Sequence, residues 1–112
     1  MPITNPQLLN HPFLQEMYRD AYFPDFLVDK CKQIFVRLCE AIETQKPSDN
    51  ASLLRLTHAA TEEFNALAEE FDENDSELET AAREAIAADF ETIAKAYEFD
   101  IDTEELISPR DW

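Results

Sequence analysis

The chain has 112 residues, 45% of them hydrophobic, and a formal net charge of −16 at pH 7. Its length fits one domain, residues 1–112, and its eight Phe, three Tyr and one Trp supply the core that a disordered acidic tail lacks. Such a charge repels nucleic acid and anionic membranes, and no apolar run approaches the roughly 20 residues of a membrane-spanning helix.

Met1-Pro2-Ile3-Thr4-Asn5-Pro6 carries neither a basic leader nor an apolar stretch of signal-peptide type, so a cytoplasmic location is expected. The sequence contains no glycine, the residue that hairpin turns and left-handed helix ends prefer, which argues against a β-hairpin protein. Turns are expected instead where Pro, Asn, Asp and Ser cluster: Asn5-Pro6, Tyr22–Asp25, Lys46–Asn50 and Glu73–Ser76.

Between these turns the apolar residues repeat at helical spacing. A short helix is predicted from Pro12 to about Ala21, with Phe13, Met17 and Tyr18 facing inward. A long one follows from Asp25 to Thr44, its stripe reading Leu27, Cys31, Ile34, Phe35, Leu38, Ala41 and Ile42. Pro47 ends it, because a proline pushes the preceding residue out of the α region. The next long helix spans Asp49 to Asp72 on Leu53, Leu56, Ala60, Phe64, Leu67 and Phe71. The third runs from Ser76 to Phe99, entered through a capping box at Ser76–Glu79, with Leu78, Ala82, Ala85, Ile86, Ile93 and Tyr97 inward. A last turn, Thr103–Ile107, completes an all-α, up-down bundle of three long helices with short flanking ones.

The charge is lopsided. Residues 1–48 hold six acids against five bases, whereas residues 49–112 hold nineteen against four. Between Glu62 and Glu79 lie nine acids and no base: Glu62, Glu63, Glu69, Glu70, Asp72, Glu73, Asp75, Glu77 and Glu79. This is the candidate interaction surface, since an acidic field steers basic partners.

Chemistry-bearing motifs are sparse. Two histidines, His11 and His58, do not make a multi-histidine metal site, and the acidic run from Asp72 lacks the glycine and closing glutamate of a calcium loop, so neither metal nor cofactor is expected. Cys31 and Cys39, eight apart on one helix, sit roughly 12 Å apart along its axis, too far for a disulfide, and read as half-buried thiols. Asp89 falls on an apolar stripe, where a carboxylate needs a partner; an Arg or a Tyr is expected. Asp89, Arg19 and His58 form the candidate buried polar site, on condition that the fold brings at least two of them to one pocket. Tyr18, Tyr22, Phe23 and Phe26 are expected in the core, and Trp112 is expected to dock back onto the bundle.

Met17-Tyr18-Arg19-Asp20, Phe26–Lys30, Leu56–Glu62, Ala82–Phe90 and Pro109-Arg110-Asp111-Trp112 resemble the blocks of an uncharacterised bacterial family of small proteins of unknown function. The resemblance spans about Met17 to Trp112. It implies a bacterial single-domain protein and brings no activity, ligand or catalytic residue.

The charge split favours a small acidic interaction protein with a basic protein partner, in the manner of toxin-neutralising immunity proteins or DNA mimics. A helical dimerisation or scaffold module is the alternative, supported by Val36 opposite the main stripe of the first long helix; this admits a homodimer. A ligand-binding or enzymatic bundle built on Asp89 and His58 ranks below both.

Overall fold

The computed structural model describes residues 3–74 and 76–112. Five helices follow in order among them: α1 (Gln15–Arg19), α2 (Asp25–Gln45), α3 (Asn50–Glu73), α4 (Thr80–Ala96) and α5 (Thr103–Leu106), with no strand. The fold is all-α, with α2, α3 and α4 as its long members.

Without glycine, the helices end by other means. Lys46 takes up the left-handed conformation (φ 49°) and its N–H closes on the Ile42 carbonyl at 2.8 Å, with Pro47 barring further helix. α4 ends in a Schellman motif with Glu98 at φ 66°: the Glu98 N–H reaches Lys95 O and the Phe99 N–H reaches Ala94 O, both at 2.9 Å. Asn5 donates from Nδ2 to the Ala96 carbonyl at 2.8 Å, satisfying another orphan acceptor of that helix end. α3 begins with an ordinary cap, Asp49 accepting the Ser52 N–H at 2.8 Å.

Two helix starts differ from expectation. α4 begins at Thr80, not Ser76, and the capping box is not formed. Ser76 is buried and its hydroxyl donates to the Tyr22 carbonyl at 3.3 Å, so a tertiary contact takes the group that a cap would use. Leu78 is buried from the segment that precedes the helix. α1 is confined to five residues because Leu14 adopts φ 59°, ψ 30°, a conformation costing roughly 1–2 kcal/mol for a residue with a Cβ.

α2 and α3 run antiparallel, with Lys30 paired to Glu70 and Arg37 to Glu63 across their interface. α4 lies across this hairpin through an aromatic cluster. The Phe90 ring sits 5.0 Å from Phe35 and 5.8 Å from Phe64, and Phe35 lies 5.1 Å from Phe64 (centroid distances). Phe13, from the N-terminal segment, stacks on Phe35 at 5.6 Å, and Trp112 meets Phe64 edge-on at 6.0 Å. Each of the four buried phenylalanine rings contributes about 1.5–3 kcal/mol by removal from water, and Trp112 is half-buried against them. The expected stripes of α2 and α3 face inward, apart from half-buried Ala41 and Leu56; Val28, Cys39 and Phe90 join the core in addition. One contiguous core therefore reaches from Leu8 to Ile107.

Candidate interaction surface

The acidic stretch divides by helix geometry. On α3, Glu62, Glu69 and Glu73 recur at spacings of seven and four, which places them on one stripe opposite the buried Leu53, Ala60, Phe64 and Phe71. All three are exposed and in no ion pair among the described residues, as are Asp72, Glu77 and Glu79. Glu63 and Glu70 lean toward α2, where Arg37 Nη2 meets Glu63 Oε1 at 2.7 Å and Lys30 Nζ meets Glu70 Oε1. Asp75 lies outside the described residues. So α2 neutralises the side of α3 that it packs against, and the outer side keeps its charge. No base stands in the last turn of α3, where the negative end of the helix dipole adds to the field.

That end of the bundle also carries exposed aromatic rings. Tyr18 is 36% exposed, Tyr22 42% and Phe26 52%; of the four aromatics expected in the core, Phe23 alone is buried. The reason is angular. Phe26 precedes Leu27, the first buried residue of α2, and shares its stripe with the exposed Lys30, Gln33 and Arg37. Tyr18 donates its hydroxyl to Asp29 Oδ1 at 2.5 Å. Partial burial, that bond and the charges of Asp29 and Asp25 raise its phenol above the usual range. The Tyr22 phenol is raised by desolvation and by Glu79 and Glu77. Asp25 and Asp29 thus stand near Tyr18, and Glu77 and Glu79 near Tyr22. The bases nearest in sequence are already paired, Arg19 to Glu16 at 3.4 Å and Lys30 to Glu70. From Asp29 and Lys30 a cleft of about 530 Å³ runs between α2 and α3, with Ile34 and Leu67 in its floor.

The candidate polar residues do not converge. Asp89 is 7% exposed. Its partners are His11, whose Nε2 donates to Oδ1 at 2.8 Å, and the Leu14 N–H, which donates to Oδ2 at 2.8 Å; neither an Arg nor a Tyr is involved. The carboxylate holds the strained Leu14 turn and so fixes the N-terminal segment on α4. Arg19 is on the surface of α1 and His58 faces the C-terminal turn, its Nε2 donating to the Glu105 carbonyl at 2.7 Å. Neither lines the small cavity of about 200 Å³ beside Asp89, which is bounded by His11, Gln15, Glu16 and Ala85. The cysteines are fully buried, not half-buried, and burial pushes both thiols up to about 12, far from the thiolate that nucleophilic chemistry requires.

Several anchoring residues had no local signature in the sequence. Glu43 accepts from Tyr97 Oη at 2.6 Å, from Thr4 Oγ1 at 2.8 Å, and from the Thr4 and Asn5 N–H groups. Burial works to raise this carboxyl, but those donors hold it down at about 2 against its ordinary 4.5. Asn65 clamps the C-terminal segment, donating to Pro109 O at 3.0 Å and accepting the Asp111 N–H at 2.9 Å. Arg110 lies over the Trp112 ring, 5.5 Å from its centroid. The partners of Glu43 and Asn65 are 38 to 54 residues away in sequence, so no short motif could reveal them.

Fold and surface together define a small all-α protein with one strongly acidic, aromatic-bearing end. The chain belongs to a family of unknown function, DUF5713, whose model matches residues 7–112. No curated protein and no solved structure matches it.

Proposed function

We propose that this protein is a cytoplasmic interaction protein, not an enzyme, and that it binds a basic protein through its acidic end. The observation that carries this reading is the one-sided charge. Six carboxylates between Glu62 and Glu79 are exposed and outside any ion pair among the described residues, while α2 pairs off two others. An acidic field of this kind speeds encounter with a basic surface and weakens as salt screens it. The partner is a protein whose own function uses a basic face, such as a nuclease toxin or a nucleic-acid-binding protein, which the acidic end would occupy in place of nucleic acid.

Affinity purification from the native host at low and at high salt tests it, followed by reconstitution with the purified candidate. A basic protein that binds directly, with affinity falling steeply between the two salts, is the expected outcome. Recovery of the same partner regardless of salt would replace the electrostatic reading with an apolar one.

The dimerisation reading has the exposed rings in its favour. It opposes the net charge, because pairing two chains of −16 brings like fields together. A monomer in sedimentation over a wide concentration range is expected.

A further inference from the structure

We infer that the aromatic corner formed by Tyr22 and Phe26 is the anchor of this surface, and that it seats an arginine or lysine side chain of the basic partner on its rings. This rests on the basic-partner reading above and adds to it a place and a mode of recognition.

A cation binds an aromatic face when the ring is open to approach and negative charge stands beside it. Tyr22 and Phe26 are open, at 42% and 52% exposure, and no described ring contact covers Phe26. They stand where two connections meet: the Ser76 hydroxyl donates to the Tyr22 carbonyl, which brings the segment carrying Glu77 and Glu79 against the turn before α2. Asp25 flanks Phe26 in the first turn of α2, and the Tyr18 hydroxyl is bound to Asp29 one turn further on. The corner therefore offers π faces and carboxylates together. Of the cations nearby in sequence, Arg19 and Lys30 are held by Glu16 and Glu70, and Arg83, beside the segment of Glu77 and Glu79, donates its Nε to the Leu78 carbonyl at 3.0 Å. The protein uses the same contact internally, where the Arg110 guanidinium covers Trp112. The cleft between α2 and α3 opens beside Asp29 and runs to Arg37 and Glu63, a helical span of about 12 Å. It would take an apolar side chain of the same partner segment. A second copy of this chain is the poorer occupant, because its own charge is repelled.

The test uses a synthetic amphipathic peptide bearing several arginines and leucines, with a glutamine-for-arginine peptide as control, titrated by fluorescence anisotropy against the full chain. Three variants are compared. Tyr22→Leu with Phe26→Leu keeps apolar bulk and removes the π faces. Asp25→Asn with Glu77→Gln and Glu79→Gln removes three charges at the corner. Glu62→Gln with Glu69→Gln and Glu73→Gln removes three charges from the outer stripe of α3.

The arginine peptide is expected to bind and the glutamine peptide not to. The first two variants should each weaken binding about tenfold, and the third about twofold or less. All changes are at exposed positions, and an unchanged circular dichroism spectrum checks the fold. Equal losses in the two charge variants with no loss in the leucine variant would overturn the anchor while leaving the basic-partner reading intact. No binding of the arginine peptide to the unaltered protein, even at low salt, would overturn both.

Discussion

At the end of the bundle where α2 and α4 finish, Tyr97 donates to Glu43, and the N-terminal segment closes over the pair with Thr4 and Asn5. At the opposite end, where α2 begins and α3 finishes, Tyr18 donates to Asp29 in the same way, yet its ring stays partly exposed beside Tyr22 and Phe26. The two ends share one chemical pair, a phenol and a carboxylate, and differ in whether a further stretch of chain arrives to complete it. Where it does, the carboxylate gathers four donors and becomes a structural hub. Where none of the described residues does, rings and charges remain available to another molecule.

The largest test of this contrast strikes what both ends share. Phe35 touches Phe13, Phe64 and Phe90, so Phe35→Ala should destabilise the whole protein by about 3–5 kcal/mol in urea unfolding. Hydrogen exchange should quicken at both ends alike; acceleration at one end only would mean that they do not rest on a common core. Glu43→Ala should act locally. Losing a charged acceptor of several hydrogen bonds costs about 2–3 kcal/mol, and faster exchange of the Thr4 and Asn5 amides should accompany it while the Phe26 end is unaffected.

Acid sharpens the same point. Glu43 is held at about 2, below its ordinary 4.5, so in that interval the unfolded chain takes up a proton that the folded chain does not. Its stabilising effect is complete above 4.5 and is lost as pH falls toward 2. The stability difference between the native chain and Glu43→Gln should therefore shrink over that window. A difference that stays constant down to pH 2 would show that the hydrogen bonds do not depend on the carboxylate charge.

The long helices were legible because periodicity and proline stops are local signals: α2 was expected at Asp25–Thr44 and is found at Asp25–Gln45. α4 was misplaced at its start because Ser76 has two uses, as a cap or as a donor to Tyr22, and only the fold decides between them. The same holds for Asp89. Its place on a buried stripe could be read from spacing, but its partner His11 lies 78 residues away, where charge and hydrogen-bond arithmetic over a sequence has nothing to say. The acidic stretch was visible as composition. Its division into a neutralised inner side and a free outer side required the register of α3 on α2, fixed by Lys30 with Glu70 and Arg37 with Glu63. The expectation that these aromatic residues lie in the core fails because hydrophobicity favours the inside only on average, and Phe26 is one position off the stripe.

The smallest expected effect is the most telling for the open end. A phenylalanine in a core costs several kcal/mol to truncate, whereas a half-exposed ring such as Phe26 costs far less. Phe26→Ala should change the urea midpoint by an amount equivalent to about 0.5 kcal/mol or less, in either direction, with an unchanged slope. A loss above about 1.5 kcal/mol would place Phe26 among packed side chains, and the two ends would then be equally closed. A small loss carries a further consequence. Nothing in folding would then require a large ring at position 26, where a glutamate would serve the first turn of α2 as well and lower the risk of aggregation. A reason for that ring would then lie in binding, as the proposed basic partner requires.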